Sequence, residues 1–158
     1  MIRCRVTLPM ANPPASATNM VPTGPILFYD GTCAFCARAV QFLLARDHRR
    51  RTLRFAPRAG VAGRALEARH PGLAQVSSLL WVRYEGGHEK VITYSTAALH
   101  AARYLGGFWG ALGALGLMVP RPVRDAVYGV IARNRHRFVR GGEVCIVFRP
   151  DEAARVIE

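Results

Sequence analysis

The residues best suited to chemistry are two cysteines, Cys33 and Cys36, at the start of a helix-forming segment. They follow the turn Asp30-Gly31-Thr32 and, before it, the strand-type run of residues 26–29. At this spacing both sulfurs lie in the first helical turn, close enough to form a disulfide. Cys33 falls at the helix N-terminus, where free N–H groups and the helix dipole favour the reactive thiolate. The pattern predicts thiol–disulfide exchange, in which Cys33 attacks a substrate disulfide and Cys36 resolves the mixed disulfide.

Asp30, at the end of the strand, allows two interpretations. As a partly buried general base it would accept the proton that Cys36 must lose. As a turn or cap residue it would accept hydrogen bonds from nearby backbone N–H groups. The sequence leaves both roles open.

A metal site is the competing interpretation of the cysteine pair. Structural zinc commonly takes four ligands, supplied by two such pairs or by one pair and two histidines. The sequence holds no second pair, because Cys4 and Cys145 are isolated, and its five histidines are scattered singly. We therefore expect neither a metal nor a cofactor. Cys145, between Val144 and Ile146, is interpreted as a buried thiol.

The elements around the cysteines predict an α/β fold. The order is strand–helix–strand–helix, then a β-hairpin around Gly86-Gly87, then a helix capped by Ser95 or Thr96. A small mixed sheet with helices on both faces is the packing that suits this order. The predicted ranges are strands 26–29, 53–56, 79–84 and 90–94, and helices 33–46, 60–70 and 97–105.

Residues 106–140 are interpreted as an appended helical segment, interrupted at Pro120-Arg121-Pro122. Its first part is apolar and rich in glycine, and its second part carries Val123, Val127 and neighbouring apolar residues on one helical face. The simpler interpretation packs these apolar faces into the core and leaves the arginines outside. The alternative is a module that contacts an acidic membrane surface or a partner protein without efficient catalysis. A short helix is predicted after Pro150.

Composition limits the class of protein. The chain has 158 residues, 22 Lys+Arg against 10 Asp+Glu, and a net charge of +12, with 51% hydrophobic residues. This excludes an intrinsically disordered chain and predicts one domain, residues 26–158, after a disordered tail of residues 1–25. The charge attracts anions, but no nucleic-acid-binding module is recognisable, so we expect no specific nucleic-acid partner.

The sequence also bears on the compartment. It shows no signal peptide, and its longest near-apolar run, residues 106–119, is shorter than the roughly 20 residues of a spanning helix. We therefore expect a cytoplasmic protein, with contact to an anionic membrane surface as a further hypothesis. In a reducing compartment, paired cysteines tend to be catalytic or metal-binding.

Four stretches of the sequence together resemble the DCC family of thiol-disulfide oxidoreductases, named for an Asp-Cys-Cys set that matches Asp30, Cys33 and Cys36 here. The resemblance spans about residues 26–150 and implies a thioredoxin-like fold with a helical C-terminal extension. It also implies exchange with a disulfide-containing protein or small molecule. Since no nucleotide-binding motif is evident, we expect a thiol system as electron donor. The matching stretches are residues 26–57, 94–99, 119–128 and 131–135.

Two details of the resemblance matter for the site. Thioredoxin-like proteins carry a cis-proline just before the strand that faces the cysteines, where its backbone helps to bind substrate. Here Val76-Ser77-Ser78 precedes Leu79, so either a serine backbone substitutes or substrate binding differs. Similar family members often carry a cysteine near the C-terminus, which gives Cys145 a second interpretation as a third redox partner.

Overall fold

A four-stranded mixed sheet forms the centre of the protein. The computed structural model describes residues 24–48, 52–76, 78–138 and 148–157. The strands, β1 (Ile26–Tyr29), β2 (Arg54–Pro57), β3 (Leu80–Glu85) and β4 (His88–Ile92), lie in the order β2-β1-β3-β4. β1 pairs parallel with β2 and antiparallel with β3, and β3 pairs antiparallel with β4. This is the predicted α/β fold class, a small mixed sheet of thioredoxin-like type.

Helices cover both faces of the sheet, as the element order predicts. They are α1 (Ala34–Arg46), α2 (Val61–Arg69), α3 (Tyr94–Leu105), α4 (Gly107–Met118), α5 (Arg121–Phe138) and α6 (Pro150–Ala153), with a 3-10 helix at Pro71–Gln75. Because side chains alternate along a strand, β1 supplies both core layers. Leu27 and Tyr29 pack with α1 and α3, whereas Ile26 and Phe28 pack with Leu66 of α2.

The start of α3 differs from the prediction. The N-cap is Thr93, and Ser95 and Thr96 lie inside the helix rather than capping it. The Ser95 hydroxyl donates instead to the carboxylate of Asp125 on α5. The local sequence pattern predicts Ser95 as a cap, but its hydroxyl is used in a tertiary contact with α5 that local sequence does not reveal.

The prediction that the apolar residues of α4 pack into the core is wrong for most of its large side chains, which are exposed. Its small residues face α3: a Cβ built on Gly113 would lie 2.7 Å from the Leu99 oxygen and the Arg103 nitrogen. One on Gly116 would lie 2.5 Å from a methyl of Leu99. At Gly113, where the close atoms belong to the backbone, only a bare Cα permits this approach, so the glycine side of α4 is the packed side. The exposed apolar side chains of α4, Phe108, Leu112, Leu115 and Met118, lie on the other side of the helix.

The C-terminal residues close the open edge of β2. The Phe55 N–H donates to the Arg155 carbonyl, and the Ile157 N–H donates to the Phe55 carbonyl. The Arg155 guanidinium donates to the Leu53 carbonyl and forms an ion pair with Asp47, whose side chain is 2% exposed. The Tyr104 hydroxyl accepts from the Leu53 N–H and donates to the same carboxylate. This network joins α1, β2, α3 and the C-terminus.

The predictions for the N-terminal tail and for Cys145 concern residues that lie mostly outside the described ranges. The predicted tail lies outside the described residues except for Gly24 and Pro25, and the Pro25 carbonyl already accepts from the Arg54 N–H at 3.0 Å. Cys145 lies outside them too. None of the described helices is both long enough and apolar enough to cross a membrane. The short helix after Pro150 is present as α6.

We expect Asp47→Ala to lower the free energy of unfolding by about 3–5 kcal/mol, because it leaves the Arg155 guanidinium buried without its counter-charge. Urea denaturation followed by circular dichroism measures this change. Lys90→Ala is the matched control: its ammonium lies 3.7 Å from the Glu85 carboxylate, and both side chains are more than half exposed. An exposed pair of this kind is worth about 0.5 kcal/mol. Equal effects of the two variants would contradict the conclusion that this network stabilises the attachment of the C-terminal residues to β2.

Candidate active site

The first cysteine caps α1. The chain leaves the buried strand β1 at Tyr29, turns, and reaches Cys33 in an extended conformation, with φ −90° and ψ 109°. The Cys33 N–H donates to the Asp30 carbonyl at 3.2 Å. The Cys36 N–H in turn donates to the Cys33 sulfur at 3.4 Å. Cys33 is partly exposed and also packs against the core layer that contains Cys36.

The second cysteine is buried one turn further along α1. Cys36 is 6% exposed and belongs to the core layer with Leu27 and Val40. Burial raises the pKa of its thiol to about 12, with further raising contributions from Cys33 and from the charge of Asp30, while a hydrogen bond with the Asp30 backbone lowers it. Burial acts through desolvation, which penalises the charged thiolate. Cys36 is therefore a protonated thiol at neutral pH.

Asp30 has the contacts of a turn residue and also lies near Cys36. One oxygen of its carboxylate accepts from the Thr32 N–H at 2.9 Å and from the Thr32 hydroxyl at 2.7 Å. This closes the Asx turn that leads into α1. Its charge is nevertheless close enough to raise the pKa of the Cys36 thiol. The structure thus places all three predicted site residues together.

A narrow apolar cleft opens beside Cys36. Its walls come from the start of α1, from the residues before β3 and from the middle of α5. Ser78, which lies just before β3, is buried. The lining residues are Phe35, Cys36, Ser78, Leu79, Tyr128, Ile131 and Ala132.

Tyr94 connects the cleft to α3 and α5. Its φ of 54° is in the left-handed region, which a residue with a bulky side chain rarely adopts. In this conformation the Tyr94 N–H donates to the Ser78 hydroxyl at 3.2 Å. The Tyr94 ring meets the Tyr128 ring edge-on, with 6.4 Å between centroids. Strained backbone of this kind is often found at functional sites.

With this geometry established, comparison with known proteins assigns the family. The model of the DCC1-like thiol-disulfide oxidoreductase family matches residues 27–141. The chain belongs to this family. It is also 35% identical over 132 residues to the uncharacterized protein YuxK of Bacillus subtilis strain 168, covering 84% of this chain and 93% of YuxK. No solved structure gives a significant match.

Sequence reasoning missed the contribution of α5 to the site of this DCC1-like protein. Tyr128, Ile131 and Ala132 lie beside Cys36, almost a hundred positions further along the chain. A signal for this was present in the family resemblance. The matching stretches 94–99, 119–128 and 131–135 are distant from the cysteines in sequence, and in the structure they supply Tyr94, Ser95, Asp125 and the α5 wall.

The described part of the chain brings no three His, Cys, Asp or Glu side chains together as a metal site would require. Of the residues weighed as ligands, Cys33 and Cys36 are adjacent. His70 is occupied elsewhere, with its ring 2.8 Å from the Glu89 carboxylate.

We expect the two site cysteines to differ sharply in alkylation. In a reduced Cys4→Ser/Cys145→Ser protein, iodoacetamide at pH 8 modifies Cys33 and leaves Cys36 intact, because a pKa of about 12 leaves about one thiolate in ten thousand. Mass spectrometry of peptides measures both sites. The same protein in urea is the control, in which both cysteines react. Modification of both at similar rates in the folded protein would contradict the burial of Cys36.

Proposed function

We propose that this protein is a thiol–disulfide oxidoreductase that works through a Cys33–Cys36 dithiol. One observation carries the proposal: Cys33 is partly exposed and its sulfur accepts the Cys36 N–H, while Cys36, one helical turn further on, is buried. An exposed nucleophile and a protected resolving thiol are what exchange requires. Membership of the DCC1-like family supports the same class of reaction.

In the first step the Cys33 thiolate attacks one sulfur of a substrate disulfide. The bond between Cys33 and that sulfur forms, the substrate S–S bond breaks, and the other substrate sulfur leaves as a thiolate that takes a proton from solvent. The Cys36 N–H and the N-terminus of α1 stabilise the attacking negative charge. Cys36 cannot begin the reaction, because its high pKa keeps it protonated.

In the second step Cys36 loses its proton and attacks the Cys33 sulfur. The Cys33–Cys36 disulfide forms, the mixed disulfide breaks, and the substrate is released with two electrons and two protons gained. Once Cys33 is bonded to substrate, its contributions to the high pKa of Cys36 disappear, and burial and the charge of Asp30 remain. Transfer of the proton to Asp30 would remove the second of these. Running both steps in reverse oxidises a dithiol substrate.

The cleft is our candidate for the contact with substrate. Ser78 and Leu79 line it where the resemblance expects a cis-proline backbone, and the rings of Tyr94 and Tyr128 stand at its α3–α5 side. We propose a disulfide-containing protein or small molecule as substrate, a thiol as electron donor, and the cytoplasm as the compartment that keeps the dithiol reduced. Cys145 as a third redox partner remains a hypothesis for the same assays.

The proposal is tested by a redox titration of the full chain in glutathione buffers, with thiols trapped and counted by mass spectrometry. We expect one reversible two-electron transition between Cys33 and Cys36. The midpoint potential of this transition separates a reductant, at about −270 mV, from a strong oxidant, at about −120 mV. Absence of any Cys33–Cys36 disulfide across the whole range would reject the proposal and leave a non-catalytic binding module.

Single-cysteine variants identify the nucleophile. Cys36→Ser is expected to accumulate a stable mixed disulfide on Cys33, whereas Cys33→Ser loses turnover by at least about a hundredfold, since the remaining thiol is buried and protonated. Cys145→Ser is the matched control and keeps wild-type turnover if this thiol takes no part. Activity retained in Cys33→Ser would show that the assignment of the nucleophile is wrong.

Asp30→Asn tests the proton relay. Asparagine keeps an oxygen to accept the Thr32 hydrogen bonds but cannot take a proton. With dithiobisnitrobenzoate, attack by Cys33 releases the first coloured thiolate and resolution by Cys36 releases the second. We expect the second phase alone to slow about a hundredfold, the usual contribution of a general base.

The turn role of Asp30 predicts a different result. Without the negative charge, the pKa of Cys36 falls, so a second phase that is unchanged or faster would show that Asp30 only shapes the turn. Thr32→Val is the control for the turn, because it removes the hydroxyl hydrogen bond and leaves the carboxylate. It should leave the second phase within about threefold of wild type, the loss of one exposed hydrogen bond being small.

A further inference from the structure

The outer side of α4 is an exposed apolar surface created by the packing of its glycines. Gly110, Gly113 and Gly116 face α3, and the exposed side chains of Phe108, Leu112 and Leu115 lie on the opposite side of the helix. Phe108, Leu112, Leu115 and Val119 repeat at i, i+4, i+7 and i+11, the spacing of one helical face. With Met118 they form what we call the α4 face: Phe108 is 71%, Leu115 62% and Met118 81% exposed.

Further apolar residues follow along the chain after the turn at Pro120. Val123, Val127 and Val130 of α5 are each more than half exposed. The large hydrophobic side chains found exposed in the described ranges fall almost entirely between residues 94 and 131, with Val61 the exception. Such a concentration indicates a surface that binds something, since isolated exposed residues would be spread over the molecule.

The part of the sequence that contains α4 and α5 is positively charged. Residues 91–142 contain seven arginines and one carboxylate, Asp125, which is engaged by Ser95 and lies 3.7 Å from the Arg121 guanidinium. Arg121, at the Met118 end of α4, has a side chain that is 67% exposed. At the other end, the Arg46 guanidinium stacks 3.8 Å from the Phe42 ring and faces Trp109.

We propose that the α4 face docks on the surface of an anionic lipid bilayer. Phe108, Leu115 and Met118 enter the boundary between headgroups and acyl chains, and arginines such as Arg121 contact the anionic headgroups. Exposed apolar side chains with cations beside them, on a helix too short to span, are the combination that an interfacial helix uses. The inference is independent of the redox chemistry at Cys33.

Charge favours the bilayer over a second copy of the chain as the occupant. Two molecules that each carry a formal charge of +12 repel one another, whereas a surface rich in anionic lipid attracts them. The single carboxylate of residues 91–142 offers little to an arginine-rich partner patch. Self-association through the same face is therefore the alternative outcome of the test.

The test is co-sedimentation of the full reduced chain with vesicles. We expect binding at low salt to phosphatidylcholine vesicles containing phosphatidylglycerol, and at least about tenfold less to phosphatidylcholine alone. In about 1 M salt, where charges are screened beyond about 3 Å, binding to the anionic vesicles should fall as well. Brominated acyl chains should quench Trp109, whose ring lies 5.5 Å from that of Phe108, more strongly than Trp81, which is 4% exposed in the core.

Two matched variants separate apolar docking from charge alone. Leu115 and Val61 are 62% and 65% exposed, and a change of either to glutamate alters the net charge equally. We expect Leu115→Glu to reduce vesicle binding by about tenfold or more, because an inserted leucine is lost, and Val61→Glu to stay within about twofold. Both variants should keep wild-type unfolding and wild-type reactivity of Cys33.

Three results would overturn the proposal. The first is no binding of the wild-type chain to anionic vesicles at low salt. The second is equal loss in Leu115→Glu and Val61→Glu, which would mean attraction by net charge only. The third is a dimer of the wild-type chain in light scattering that Leu115→Glu converts to monomer while vesicle binding is absent, which would assign the face to a second copy. Dithiol activity is measured separately, so none of these results bears on the proposed function.

Discussion

The hydrogen bond from the Cys36 N–H to the Cys33 sulfur is the contact on which the site depends. It exists because Cys33 takes the N-cap position of α1, where a serine or aspartate would ordinarily satisfy the free N–H groups. A cysteine in that place makes the capping atom and the nucleophile that we propose the same sulfur. The extended backbone of Cys33 is required for the cap, and it is set by a strand, β1, whose four residues are all buried. The buried strand therefore fixes the start of the turn that brings the sulfur to the helix N-terminus.

The opposite environments of the two sulfurs follow from the geometry of one helical turn. Three residues beyond the cap, Cys36 lies in the layer formed by Leu27, Val40 and Trp81, while Cys33 packs against that layer and remains partly exposed. Burial in the core raises the pKa of the Cys36 thiol and keeps it protonated, which suits the resolving role that we propose for it. In the second step that we propose, this proton must leave an apolar environment. Asp30 is an acidic group near enough for its charge to raise the pKa of Cys36.

Local sequence predicts the elements well and the contacts between distant elements poorly. The order of strands and helices, the position of Cys33 at the start of α1, and the core role of the β1 residues all follow from periodicity and turn residues. The N-cap of α3 does not, because Ser95 has a partner on α5 that only the folded chain brings near. The wall of the cleft at Tyr128 could not be predicted for the same reason, since only folding brings α5 next to Cys36. Periodicity also identifies the apolar side of α5 but cannot say whether that side is covered.

α4 shows most clearly why hydrophobic pattern alone does not decide burial. A helix with this many large apolar residues ordinarily turns them inward, since their burial is the main gain of folding. Here the glycines at every third position offer a closer approach to α3 than leucines could, and backbone contact with Leu99 and Arg103 takes the inward side. Both sides of α4 cannot be packed on one neighbour. The positions of three glycines therefore determine that Phe108, Leu115 and Met118 are presented to the exterior, where the charge of the surrounding arginines acts with them.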